Sequence, residues 1–307
     1  MKAIILAAGY GKRMQPLTSN TPKTLLEVNS TTIIKRIINS LIKNKINNIV
    51  IATGHESKKL KSYLIQSYKN INFTFVHNKD FKTTNNIFTL SLVLQKIKID
   101  NDILIIESDL VFNEKVLSKI INSKYKNVAL ISEYETGMDG TVVRVDRDKI
   151  IEVIPPHLQD ENFNFQDKFK TLNIYKFNKD FCLRDFKNLL KFYTSSLDSQ
   201  SYYELIIGIL IYVQKSTINY ELVSVSEWAE VDDPNDLKLA EYKFSSNSRK
   251  KILESTQGGY WNYKVLDFCF IRNMYFPTTS MLSEIKNNIS ELIYNYGSQQ
   301  DYLDEKL

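Results

Sequence analysis

Residues 3–23 read Ala3-Ile4-Ile5-Leu6-Ala7-Ala8-Gly9-Tyr10-Gly11-Lys12-Arg13-Met14-Gln15-Pro16-Leu17-Thr18, then Ser19-Asn20-Thr21-Pro22-Lys23. Ala3–Leu6 is a short apolar strand, and two glycines follow it closely. Only 9 glycines occur in 307 residues, so this clustering is informative. Glycine lets backbone N–H groups come close to an anion. Small Ala7 and Ala8 leave room for a bulky ligand above the strand end. Arg13 and Lys23 add fixed positive charge, which completes an electropositive cradle suited to a triphosphate. A dinucleotide fingerprint is excluded, because its third glycine position holds Met14. A Walker A loop is excluded as well, because no Gly-Lys-Ser/Thr follows at the required spacing. The competing reading is a tight turn with two surface cations. The joint spacing of Gly, Gly, Arg, Pro, Thr, Pro and Lys favours the cradle.

Outward from this loop, strand and helix patterns alternate. Thr31–Lys43 has helical spacing, with Ile33, Ile34, Ile37, Ile38 and Leu41 on one side. Asn48–Thr53 reads as a buried strand ended by Gly54, Glu56–Tyr68 as a helix and Phe73–His77 as a strand. Asn85–Ile97 reads as a helix with Asn at its start, and Ile103–Glu107 as an apolar strand running into Ser108-Asp109. This alternation predicts an α/β, Rossmann-like fold: a mixed, mostly parallel sheet flanked by helices. From Asn127 the pattern changes. Val128–Ser132, Thr141–Val145, Lys149–Ile154 and Lys170–Phe177 are strand-like with little helix between them, which predicts an antiparallel extension. Helices at Phe186–Tyr193 and Tyr203–Val213, a strand at Tyr220–Ser224 and a helix at Pro234–Phe244 complete the unit. One domain is expected over 1–243, a polar, basic linker over 244–251 and a C-terminal segment over 252–307. That last segment holds one helix, Met281–Tyr294, and is too small for a large core of its own.

Composition sets outer limits. An apolar fraction of 43% with 18 Tyr and 16 Phe excludes disorder as the main state. The longest apolar run, Leu205–Val213, is far short of the roughly 18 residues of a membrane-spanning helix. Cys182 and Cys269 cannot build a disulfide framework or a cysteine zinc site, which suits a cytoplasmic location. A net charge of +5 helps to attract a polyphosphate but is too diffuse to argue for nucleic acid. Neither nucleic acid nor a membrane is expected as a partner, and a homodimer stays open.

Two acidic groups stand out. Asp109 lies just past a buried strand, where ligands bind in open α/β sheets, although a strand-end turn is the competing reading. Glu230, Asp232 and Asp233 open the last helix of the unit. A magnesium ion on phosphates takes one or two protein carboxylates. Asp233 ahead of Pro234 reads better as a helix cap, and Asp236 as a first-turn acid facing the helix dipole. Asn85 reads equally as a helix cap and as a donor–acceptor pair for a base edge. Tyr202-Tyr203-Glu204 puts aromatic faces beside a carboxylate, which suits an ammonium; core packing of the two tyrosines is the alternative. His55, His77 and His157 have no metal or triad spacing and read as structural.

The segment from Leu6 to Lys23 resembles the signature of the nucleotidyltransferase family that includes sugar-1-phosphate nucleotidylyltransferases and phosphocholine-type cytidylyltransferases. Their pattern is L-A-A-G-x-G-x-R-[LM]-x-P-L-T followed by P-K, and every position matches. The likeness extends over about residues 1–243 and implies a nucleotidyltransferase fold. It implies that Arg13 contacts the departing pyrophosphate and that Lys23 contacts the nucleotide α-phosphate and the incoming phosphate. It also implies Mg2+ on Asp109 and Asp232, with Glu230 open between metal and acceptor. Leu6, Ala7, Ala8, Gly9, Gly11, Gly54, Thr84, Asn85 and Ser108 are the nucleotide-binding candidates it suggests. Thr83–Leu90 resembles the N-N-x-[YF]-[ST]-L segment of choline-type cytidylyltransferases, which implies CTP. Tyr203 and Glu204 resemble the element that meets choline in that branch. Asp139 and Glu107 are further candidates for an amine, and Lys170 for the acceptor phosphate.

The expected partners are therefore CTP and a small phosphorylated amine of the serinol phosphate, phosphoethanolamine or phosphocholine class. A 2-aminoethylphosphonate acceptor, a sugar 1-phosphate and a non-catalytic nucleotide-binding subunit are the alternatives. Gln257–Tyr260, Asp267-Phe268, Asn273–Pro277 and Tyr294–Tyr296 loosely resemble the opening of histidinol-phosphate-type aminotransferases. That likeness implies a bifunctional chain cut short, with pyridoxal phosphate required only if the complete chain holds a full aminotransferase domain; an unrelated C-terminal helical appendage is the alternative, and capsule or cell-surface polysaccharide biosynthesis is the expected setting.

Overall fold

The apolar run after Met1 becomes β1 (Lys2–Ala7), buried along its whole length. Its side chains alternate between two cores: Ala3, Ile5 and Ala7 face one, Ile4 and Leu6 the other. Burial on both faces is why the strand reads as a continuous apolar run. The computed structural model describes residues 1–214, 216–245, 247–255, 263, 265 and 277–294. A short hairpin, β2 (Glu27–Val28) with β3 (Thr31–Thr32), leads into α1 (Ile33–Lys43). Thr32 caps α1 by accepting a hydrogen bond from the Lys35 amide, and the helix buries Ile33, Ile34, Ile37, Ile38 and Leu41. β4 (Asn48–Thr53), α2 (Ser57–Ser67), β5 (Asn72–His77), α3 (Asn86–Lys96) and β6 (Ile103–Glu107) follow.

After β7 (Leu110–Phe112) and α4 (Glu114–Ile121) come four strands: β8 (Val128–Glu133), β9 (Val142–Asp146), β10 (Lys149–Ile154) and β11 (Phe169–Phe177). α5 (Lys179–Phe181) runs through a π-helical turn at Cys182–Phe186 into α6 (Lys187–Ser196). α7 (Glu204–Tyr212), β12 (Asn219–Leu222), β13 (Trp228–Glu230) and α8 (Pro234–Lys243) complete the order. The main sheet has nine strands in the order β5-β4-β1-β6-β11-β8-β12-β10-β9. β5, β4, β1 and β6 are mutually parallel. β11 runs antiparallel to β6, β8 and β9, so the expected antiparallel extension is attached through this one strand.

Several elements have no counterpart in the sequence reading, among them β7, α4 and β13. β7 and β13 pair antiparallel, Leu110 opposite Glu230 and Phe112 opposite Trp228. Three residues are too few for an alternation to register as a strand. The helix expected at Phe186–Tyr193 starts earlier, at Lys179, because the Asn178 side chain caps it by accepting from the Phe181 amide. Part of the expected linker is helical too. α9 (Arg249–Glu254) is held on α8, with Arg249 donating to the carbonyls of Tyr242 and Lys243 at 3.1 Å each.

Contacts divide the chain into one unit over Met1–Tyr263 and another over Lys264–Leu307. In the second, α10 (Thr279–Tyr294) covers the helix expected at Met281–Tyr294, with its apolar residues exposed. The residues that carry the aminotransferase likeness at 257–260, 267–268, 273–276 and 295–296 lie outside the described residues. Among the described residues no helix is long and apolar enough to cross a membrane.

Candidate active site

The C-terminal ends of β1 and β6 open into a cavity of about 480 Å3. The loop after β1 forms its first wall. Gly11 takes a left-handed conformation (φ 64°), and its carbonyl accepts the Thr18 hydroxyl at 2.7 Å. His55 Nε2 donates to the Thr18 carbonyl at 2.9 Å, so this histidine holds the loop, in keeping with its structural reading. A side chain on Gly9 would meet nothing within 4 Å, which leaves open space in the cradle. Leu6, Ala7, Ala8, Gly9 and Gly11 all line the cavity, as do Thr84, Asn85 and Ser108.

Lys23, from a single 3-10 turn (Lys23–Leu25), lies between two carboxylates. Its Nζ is 2.9 Å from Asp109 Oδ2 and 2.7 Å from Asp232 Oδ1. The β7–β13 ribbon brings these distant acids together: Asp109 precedes one strand and Asp232 follows the other, and the Val231 amide donates to the Asp109 carbonyl at 2.9 Å. Arg13 bridges Asp139 and Asp232 at 2.8 Å each. Burial works to lower the Lys23 pKa, but Asp109 and Asp232 outweigh it and hold the ammonium above its ordinary value. Asp232 shows the reverse balance: burial opposes its charge, and Lys23 and Arg13 still hold it below the usual carboxylate range. Asp233 caps α8 through the amides of Asn235 and Asp236, and Asp236 completes the capping box, so neither is free to point into the cavity.

The opposite wall is acidic. Glu204 is buried, one of its oxygens has no hydrogen-bond partner, and burial pushes its pKa up to about 7. Glu107 is raised by burial and by the nearby charges of Asp109 and Glu204. Burial also raises Glu230, against the opposing pull of Lys170. Glu107, Asp109, Asp139, Glu204, Glu230 and Asp232 all line the cavity, whereas only Arg13 and Lys23 among its lining residues are cationic. A polyphosphate could not enter such a field without a compensating cation. The donors fit a hard divalent ion. Asp109 Oδ1 is buried without a partner, and oxygens of Asp139, Glu230 and Asp232 lie within 4.8 Å of one another, so Glu230 stands where either a metal or a cationic acceptor group can meet it.

Three expected residues fall outside the cavity wall. Tyr203 is fully buried, its ring edge-on to Tyr175 at 5.7 Å, because the first turn of α7 packs inward there. Its neighbour Tyr202 lines the cavity instead. Gly54 serves close packing: a Cβ would stand 2.2 Å from the Ala8 carbonyl oxygen and 2.8 Å from Phe81 Cβ. Lys170 is 1% exposed and its ammonium lies 3.2 Å from Glu230, so it is spent inside the protein rather than offered to a phosphate. Asn85 does line the cavity, yet its side chain caps α3 through the Asn86 amide and donates to the Gln200 carbonyl. Asn86 is the more engaged of the pair, donating to Glu107 at 3.1 Å and accepting from the Tyr203 amide. Phe81, Asn86 and Asn173 line the cavity without having been singled out as site residues.

Residues 2–152 match the model of the nucleotidyl transferase family. The chain is 28% identical over 307 residues to CMP-5'-(3-aminopropyl)phosphonate synthase from Streptomyces rubellomurinus, covering 99% of this chain and 49% of that protein. It thus spans about half the length of that relative. It is 29% identical over 260 residues to choline-phosphate cytidylyltransferase from Haemophilus influenzae, covering 81% of this chain and 100% of that one. The fold matches a CTP:phosphocholine cytidylyltransferase from Streptococcus pneumoniae with a TM-score of 0.64 at 21% identity, over 80% of this chain and 99% of the other.

Proposed function

We propose that the chain transfers CMP from CTP to the phosphate or phosphonate oxygen of a small amine-bearing acceptor and releases pyrophosphate. The observation that carries this reading is the Lys23 ammonium held between Asp109 and Asp232 at the edge of the glycine loop. The acceptor oxygen is already anionic, so no strong general base is needed. Catalysis then comes from alignment and charge stabilisation. In this reading the loop amides around Gly9 and Gly11 receive the phosphates, Arg13 holds the leaving pyrophosphate and Lys23 stabilises charge at the α-phosphorus. Asp109 and Asp232 would hold Mg2+, which when bound neutralises phosphate charge. Such an ion would compete with the Lys23 ammonium for the same two carboxylates.

Beside this cluster, the buried Glu204 and half-buried Glu230, with Tyr202, suit the acceptor ammonium. A sugar would instead call for an array of neutral hydrogen-bonding groups. A phosphonate acceptor is favoured over a phosphate by one finding: the relative that aligns with 99% of this chain is named for an aminopropylphosphonate. The test is pyrophosphate release with Mg2+ from each of the four common nucleoside triphosphates. Each is crossed with phosphocholine, phosphoethanolamine, serinol phosphate, 2-aminoethylphosphonate, 3-aminopropylphosphonate and glucose 1-phosphate. Selective use of CTP with an amine acceptor supports the reading. Turnover only with the sugar phosphate overturns it, and nucleotide binding with no turnover points to a non-catalytic role.

A further inference from the structure

Three unusual backbone features converge on one carboxylate. Asn173 lies inside β11 with φ 56°, a left-handed conformation that is uncommon for a residue with a side chain. It sits where the pairing of β11 with β8 shifts register between Thr171 and Tyr175, so the strand bulges at this point. Gly140 has φ 96°, and a Cβ there would come within 2.9 Å of the Lys170 ammonium. The side chains that these features place all meet Glu230. Lys170 Nζ is 3.2 Å from its Oε2, and Asn173 Nδ2 is 3.4 Å from its Oε1. The Asn173 amide is itself held, because its Oδ1 lies 2.8 Å from the Thr171 hydroxyl, whose one proton is shared with the Thr141 carbonyl at 3.1 Å.

We propose that Lys170 and Asn173 are positioning residues that clamp Glu230, one on each carboxylate oxygen, and so fix where the acceptor's positively charged group binds. Backbone strain persists only where surrounding structure maintains it, and it concentrates at functional sites. Bulges re-aim side chains next to such sites. Here the bulge turns Asn173 into the cavity wall, where it stands beside Glu230. Lys170, buried beneath Gly140, anchors the carboxylate from behind and never reaches the cavity surface. A carboxylate held at both oxygens has one orientation to offer an ammonium, whereas a free one would lose side-chain entropy on binding. The inference rests on the proposed reading, in which the acceptor end carries an amine.

The decisive variant is Asn173→Gly. Glycine adopts a positive φ without cost from a Cβ, so the bulge is kept while the amide is removed. Kinetics are measured with CTP, Mg2+ and either phosphoethanolamine or 3-aminopropylphosphonate. The expected result is a rise of about tenfold in the acceptor KM, the size of one lost charge-assisted hydrogen bond, with the CTP KM and the melting temperature nearly unchanged. Thr171→Val, which frees the Asn173 amide, should move the acceptor KM in the same direction. In a Glu230→Gln background the Asn173 change should add less than about twofold, because it acts through that carboxylate. An unchanged acceptor KM, equal rises in both KM values with a fall in melting temperature, or full additivity with Glu230→Gln each overturns the clamp. If the wild-type protein turns over neither acceptor, the proposed reading fails and the clamp fails with it. Normal wild-type turnover with an unaffected Asn173 variant removes the clamp alone.

Discussion

Replacing Glu204 with Gln should make the protein more stable above neutral pH while weakening acceptor use. Glu204 is 2% exposed, one of its oxygens has no partner, and its pKa rises from 4.5 to about 7. Burial is the main cause, opposed by a backbone hydrogen bond and by Lys170. A carboxyl that is harder to ionise when folded binds more protons in the native state than in the unfolded chain. Its contribution to stability is therefore fully present below about pH 4.5 and is lost as pH rises through about 7. At about 1.4 kcal/mol per pK unit, the difference between low and high pH comes to about 3 kcal/mol. For a domain of this size that corresponds to roughly 5–10 °C in melting temperature. Glu107 and Glu230 tilt the curve in the same direction, so the informative quantity is the difference between wild type and Glu204→Gln. Thermal melts of both proteins from pH 5 to 8.5 should converge at the acid end and separate at the alkaline end, with the variant the more stable. The acceptor KM of the variant should rise by about tenfold or more at pH 8, because the charge-assisted bond to the amine is gone. Parallel melting curves across this range would refute the reading of Glu204 as a carboxyl whose ionisation burial opposes.

Other outcomes follow from the same geometry. Gly54→Ala should destabilise the fold by about 2 kcal/mol or more, since its Cβ would fall 2.2 Å from the Ala8 carbonyl; a melt showing no loss contradicts the close approach. Asp233→Ala removes the capping box of α8 and should lower stability by about 1 kcal/mol, read by urea unfolding, whereas Asp233→Asn should keep most of it.

Much of the site was legible in the sequence because its core is local. The glycine loop, Arg13 and Lys23 all fall within one stretch, and the end of β6 places Asp109 by the general rule for open sheets. The pairing of Asp109 with the second acidic group was less legible, since it depends on β7 and β13, which are three residues each. The Tyr202–Tyr203 pair shows a limit of another kind. Both residues suit an ammonium, and only the helical phase at the start of α7 decides which one turns inward. Lys170 misleads for a related reason: alternation along a strand tells which face a lysine takes, but not that a partner carboxylate waits beneath it. Asn173 carried no sequence signal at all, because a left-handed residue inside a strand follows from a bulge set by tertiary pairing.

The central claim is that the Lys23–Asp109–Asp232 cluster is where CMP changes hands. Single-turnover transfer of label from α-labelled CTP to 3-aminopropylphosphonate or phosphoethanolamine, with Mg2+, tests it most directly when wild type and Lys23→Ala are run side by side. The account predicts a labelled CMP adduct with wild type and a transfer rate lower by a factor of about 100 or more with the variant. Equal rates in the two proteins would contradict it.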